Sequence, residues 1–306
     1  MRERVNVRVV ASDEAARSLA DELAAAAPGE IGLDFETASV RGFGVRNGAL
    51  RLIQIGVDHA GAGQPPEQII LDCFRADPRP LTALLQDQRT TKLVHNAQFE
   101  RSWAAVQLDS PILGLYDTCA AWKAIQKRLG ALDLDEAQRI LPGWTPHDNT
   151  LGTLVGRYLG VELPKGNQRS DWGQGTLRDD QLLYAAVDVA VLGELARFTR
   201  QIAARLGLTD SLQEATDAAG DRAWVRSREV VSGDDDERLR VQAALLRAST
   251  LSDLDRQRLL ARQVPLTGVS RRALDVTYEQ TRSRLLTGAA PPSAPAPTAP
   301  LDATPF

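Results

Sequence analysis

The chain has 306 residues and a formal charge of −4 at pH 7, with 43% hydrophobic and 25% charged residues. That length exceeds the roughly 100 to 200 residues of a usual single domain, so one large domain with a smaller appendage is expected. The composition is that of a globular protein without the ~20 consecutive apolar residues of a membrane span, and its acidic balance excludes gripping nucleic acid through a broad basic surface.

The opening MRERVNVRVV holds early arginines but no apolar stretch of about 7 to 15 residues, which gives the expectation of a cytoplasmic protein. VNVRVV reads as a short strand. Ser12 then precedes Asp13, Glu14 and the apolar-periodic AARSLADELAAAA, the pattern of a capped helix that Pro28-Gly29 ends. IGLDFET alternates Ile31, Leu33 and Phe35 against Gly32, Asp34 and Glu36, a half-buried strand with both carboxylates on one face. LRLIQIGV (50–57) and QIILDCF (68–74) continue a meander, with Gly48 and GAGQPP at the turns. A helix around PLTALLQDQ, a strand at TKLVH and a run of helices over most of residues 97–205 complete a mixed α/β sandwich. Residues 207–287 are helical in character, and the Pro/Ala-rich segment from 288 to 306 is expected to be disordered.

Three pieces of this chain carry chemistry only as a set. Asp34 and Glu36 lie two apart on a strand, and alone such a pair is usually a solvated face. HNAQFERSW (95–103) passes from strand to helix, with Asn96 as a candidate cap and Glu100 near the first turn. In LRDDQLLYAAVDVAVLGELARF, read as one long helix, Tyr184 and Asp188 are i, i+4 and share a face. Phosphodiester hydrolysis by hard cations needs several carboxylate oxygens converging on metals about 3.5 to 4 Å apart.

The ordered set of strand D-x-E, HNAxFE and helical Y-x3-D resembles the DEDD superfamily of 3′-5′ exonucleases. It is similar to the tyrosine branch, which includes ribonuclease D, Werner-type exonucleases and the proofreading domain of family A DNA polymerases. Leu183 stands where the histidine branch places its His, and QRSDWGQGTLRDDQLLYAAVDV looks most like ribonuclease D. The resemblance covers residues 28–205. It implies a ribonuclease H-like mixed sheet flanked by helices, assigned to an exonuclease domain over residues 1–206; residues 207–287, helical by their own pattern and not matched by the resemblance, are a smaller C-terminal region of open role. It also implies two divalent cations, Mg²⁺ or Mn²⁺, and a nucleic-acid partner with a free 3′ end, with no membrane. Asp34 would bridge both metals, Glu36 and Asp188 would complete the first site, Glu100 would take the second-site acid position, and Tyr184 would orient the attacking water. The family usually has Asp where this chain has Glu100, whose extra methylene carries the carboxylate outward.

Other residues divide between substrate and structure. Asn96, Lys165 and Arg169 are candidate substrate contacts. Phe99 is expected in the core, Trp172 as a packing anchor, and Asp117-Thr118 as a helix start. Cys73 and Cys119, with no CxxC, are expected as small buried hydrophobes, and neither His59 nor His147 has a metal-ligand partner in sequence. The expected activity is release of nucleoside 5′-monophosphates from single-stranded 3′ ends, RNA slightly ahead of DNA. The alternatives are a DNA exonuclease of editing or repair, and a catalytically silent nucleic-acid-binding module.

Overall fold

The computed structural model describes residues 6–39, 48–58, 66–164, 166–167, 170–209 and 212. The expected helical region at 207–287, apart from residues 207–209 and 212, and the tail at 288–306 lie outside them. No helix among the described residues is long and apolar enough to cross a membrane.

The chain begins with β1 (Asn6–Val10) and α1 (Asp13–Ala26), whose first turn is capped by Ser12 accepting from the Ala15 N–H at 3.2 Å. It leaves α1 through Ala27, in the left-handed region at φ 41°. The meander follows as β2 (Glu30–Ser39), β3 (Gly48–Val57) and β4 (Glu67–Asp72), antiparallel throughout. A 3₁₀ turn and the short α2 (Thr82–Gln86) replace the single helix expected at PLTALLQDQ. Then come β5 (Thr91–Val94), α3 (Gln98–Leu108), β6 (Leu115–Asp117) and α4 (Thr118–Leu129). Next are α5 (Leu134–Ile140) and α6 (Leu151–Leu154), which continues as a π-helical turn, and finally α7 (Asp179–Ala190) and α8 (Leu192–Arg205).

Six strands form one mixed sheet in the order β1-β4-β3-β2-β5-β6. This is the ribonuclease H-like sheet with helices on both faces. Ile31, Leu33 and Phe35 of β2 pack with Leu19 and Leu23 of α1 and Trp103 of α3 on one side. Across the sheet, α4 and α8 build a second core around Trp122, Ile125 and Leu195, and α7 seats Ala185 and Ala186 on Leu52 and Ile70.

Two expectations for residues 97–205 are corrected. The stretch is not a continuous run of helices: β6 joins the sheet edge parallel to β5, its three residues being too few to show a period. The long helix containing Tyr184 and Asp188 is broken at Val191 (φ −91°, ψ −13°) into α7 and α8. The break lets α7 lie against β2, β3 and β4 while α8 packs on α4.

Candidate active site

The strand alternation of β2 decides what reaches the cleft. With Ile31, Leu33 and Phe35 committed to the core, Asp34 and Glu36 emerge on the opposite face, under α7. At its C-terminal end helix α7 comes close to the sheet because two glycines lie beneath it. A Cβ at Gly32 would sit 2.7 Å from the Val189 carbonyl oxygen, and one at its cross-strand partner Gly56 would sit 2.9 Å from the same atom. Asp188, the preceding residue, is thereby brought down to β2. Asp34, Glu36 and Asp188 each offer an oxygen, all within 4.8 Å of one another.

These acids border a cleft of about 1900 Å³ that Asn96, Phe99 and Tyr184 also line. Burial pushes the Asp34 carboxyl up to about 6, against hydrogen bonds from Glu100 and the Phe35 backbone. Burial, reinforced by the charges of Asp34 and Asp188, pushes Glu36 up to about 10. Asp188 is raised by burial and by Asp34, with the Tyr184 hydroxyl opposing. The Tyr184 phenol is raised by burial and then by Asp188, Glu36 and Asp34, so it keeps its proton at neutral pH. At an effective dielectric of ~20, two like charges at this spacing repel by about 3.5 kcal/mol. Ionising all three is therefore costly unless protons or a cation offset the charge.

Glu100 is placed differently from the other acids. It is 2% exposed in the first turn of α3, behind Asp34 and off the cleft wall, with Oε2 buried and without a hydrogen-bond partner. Burial first, and then the Asp34 charge, raises its carboxyl. It belongs to the carboxylate group through Asp34 and does not share the spacing of the other three.

Asn96 lines the cleft but its side chain does not cap α3. Its backbone is left-handed (φ 74°), and Ala97 takes the cap position with no side-chain bond. The cap comes from a distance: the Asp117 carboxylate accepts from the N–H groups of Asn96 (2.9 Å) and Ala97 (3.0 Å), and also from those of Cys119 and Ala120 at the start of α4. His95 is held between the Thr118 hydroxyl (2.9 Å) and the Asn149 carbonyl (2.7 Å), and burial lowers its pKa. Trp172 is 4% exposed and packs in the α7 cluster.

Phe99 overturns its core expectation. Its ring is 39% exposed in the cleft, tilted against Trp103 at 6.0 Å, because the inward faces of α3 are taken by Trp103 and Glu100. Lys165 and Arg169 lie outside the described residues. Among the described residues the cation on the cleft wall is Lys123, one turn along α4 from Cys119, which sequence reasoning missed. Its i, i+4 relation to Cys119 carried no signal until the structure turned that face of α4 to the cleft.

A model of the 3′-5′ exonuclease family matches residues 7–202. DNA polymerase I of Aquifex aeolicus (strain VF5) is 47% identical over 55 residues, which span 18% of this chain and 9% of the polymerase. Brucella melitensis NrnC superposes with a TM-score of 0.54 at 20% identity, covering 76% of this chain and 96% of that one. NrnC is also known with bound Mg²⁺ and bound to pGG. Escherichia coli RNase D, described as an exoribonuclease involved in structured RNA processing, superposes with a TM-score of 0.55 at 20% identity over 90% of this chain and 76% of that one.

Proposed function

The chain belongs to the 3′-5′ exonuclease family, and from that premise we propose that it hydrolyses the terminal phosphodiester of single-stranded nucleic acid with divalent cations held by Asp34, Glu36 and Asp188. The observation that carries the reading is the convergence of these three carboxylates, drawn from a strand and a helix far apart in sequence, on the wall of one cleft. All-oxygen ligands whose charges repel fit a hard cation such as Mg²⁺ or Mn²⁺, and Glu100, coupled to Asp34, would be the acid to help hold a second one. Bound cations supply the Lewis acidity that makes water nucleophilic near neutral pH and neutralises charge on the departing 3′ oxygen.

The protein's own groups orient the reactants. Tyr184, protonated and beside Asp188, holds the attacking water in line. The water oxygen bonds to phosphorus, the bond to the 3′ oxygen of the preceding nucleotide breaks, that oxygen takes a proton, and a nucleoside 5′-monophosphate leaves. The exposed Phe99 ring offers a stacking face to a base, a contact that any base can make. Lys123 and Asn96 face the backbone from the same cleft, and Lys165 and Arg169 are further candidate contacts. RNA is the favoured substrate, on the ribonuclease D-like QRSDW segment and the fold likeness to RNase D. The second reading, a DNA substrate, draws on the short match to DNA polymerase I.

A gel time course on 5′-labelled RNA and DNA oligonucleotides, with free or blocked 3′ ends and with Mg²⁺, Mn²⁺ or EDTA, tests the proposal. The expected result is metal-dependent shortening from free 3′ ends only, faster on RNA. Faster loss of DNA selects the second reading. Binding without cleavage under every metal, by folded protein, replaces both with a silent nucleic-acid-binding module.

A further inference from the structure

The cleft wall next to Tyr184 includes Ser170, Asp171 and Trp172, part of an irregular stretch that runs up to α7. Its backbone is fastened by side chains from both neighbouring layers. From α7, the fully buried Gln181 donates to the Asp171 carbonyl (3.2 Å) and the Ser170 hydroxyl (2.9 Å). From the sheet, Arg51 donates through Nε to the Trp172 carbonyl (3.1 Å) and through a terminal nitrogen to the Gln174 carbonyl (3.3 Å).

Arg51 is an unusual residue to find inside a sheet. It is 0% exposed and is the extra residue of a β-bulge: Glu36 pairs with Leu52 and Thr37 with Leu50, leaving Arg51 without a cross-strand partner on β2. A bulge beside a site re-aims a side chain, and here it turns a guanidinium toward the loop. Its charge is met by Asp72 and its plane lies over the Phe74 ring at 4.3 Å. Ion pairing alone would use only part of the fork, and the remaining donors go to carbonyls 121 and 123 residues away in sequence. These three acceptors are met by three different nitrogens of a planar fork, whereas a lysine would have to reach all of them from one nitrogen.

The loop in turn touches the reaction centre. The Trp172 indole packs on the Tyr184 ring, centroids 6.3 Å apart and planes at 45°, and the phenol meets Asp188. We propose that Arg51 is a positioning residue for hydrolysis: by holding the Trp172 backbone it fixes the indole against Tyr184 and so sets the phenol beside Asp188. The proposal rests on Tyr184 orienting the attacking water.

The test is a double-mutant cycle between Arg51→Lys and Tyr184→Phe, with kcat and KM measured on a 5′-labelled single-stranded oligonucleotide in Mg²⁺ and folding followed by thermal melting. Arg51→Lys is expected to lower kcat about tenfold with KM within about twofold, and to have less than a twofold further effect once Tyr184 is Phe. Trp172→Leu, the middle link, is expected to repeat that pattern and stands in if Arg51→Lys does not fold. Equal loss in both backgrounds would overturn the relay while leaving the Tyr184 role intact, and so would unchanged kcat in both folded variants. Full activity in Tyr184→Phe would overturn the Tyr184 role and the relay together.

Discussion

Two groups of carboxylates, one ending β6 and the other centred on β2 with β5 between them, are satisfied in opposite ways. Asp117, ending β6, accepts from four backbone N–H groups at the starts of α3 and α4, so its charge is spread over two helix N-termini. Asp34, Glu36 and Asp188 face chiefly one another, and burial holds each above the ordinary carboxylate range. A buried acid surrounded by backbone donors fastens a fold. Acids gathered against each other store electrostatic cost that a cation can release, and such cost is tolerated where function uses it.

The sharpest way to break this contrast is to remove one acid from each group. Asp34→Ala or Asp188→Ala is expected to cut hydrolysis by about 10³-fold or more with no loss of folding, since a repelling charge goes with the ligand. Gel assays beside thermal melts check both, and retained activity in either variant removes the site assignment. Asp117→Ala is expected to cost about 3 kcal/mol in urea unfolding, because four N–H groups lose a charged acceptor. An unchanged midpoint would show that the two groups do not differ as described.

A pH series sharpens the comparison further. Asp34 and Glu36 bind protons more tightly folded than unfolded, so their contribution is complete below the unfolded carboxylate range and is lost as pH rises through about 6 for Asp34 and about 10 for Glu36. In EDTA the melting temperature is expected to fall as pH rises above about 4.5, and Mg²⁺ is expected to restore most of that loss. A flat EDTA profile would mean the acids do not strain the fold. The smallest effect is expected from Glu100→Asp, which should keep or modestly raise activity; complete loss would mean that the glutamate is specifically required.

Much of this was legible in the sequence because periodicity and chemistry coincided. The alternation of IGLDFET placed both acids of β2 on one face, and the i, i+4 spacing joined Tyr184 to Asp188. What stayed hidden depends on the third dimension. Three residues of β6 carry no period, and the break falls at Val191 while the nearby Gly193 sits inside the first turn of α8, so the glycine does not locate it. Phe99 looked like core because it is aromatic, yet Trp103 and Glu100 had already filled the inward side of α3. Asn96 looked like a cap, while the carboxylate that does the capping comes from Asp117, twenty-one residues away from it.

The glycines beneath α7 have a consequence beyond the site itself. At Gly32 and Gly56 the helix rests on the sheet backbone through its own Val189 carbonyl, so no side chain sets its height at that point. The separation between Asp188 and Asp34 is thus set partly by a backbone contact and not only by the side chains of Leu52 and Ile70 on which α7 is seated. A side chain introduced at either glycine would therefore act on the active site as a spacer, lifting Asp188 away from Asp34 where a fraction of an ångström matters most.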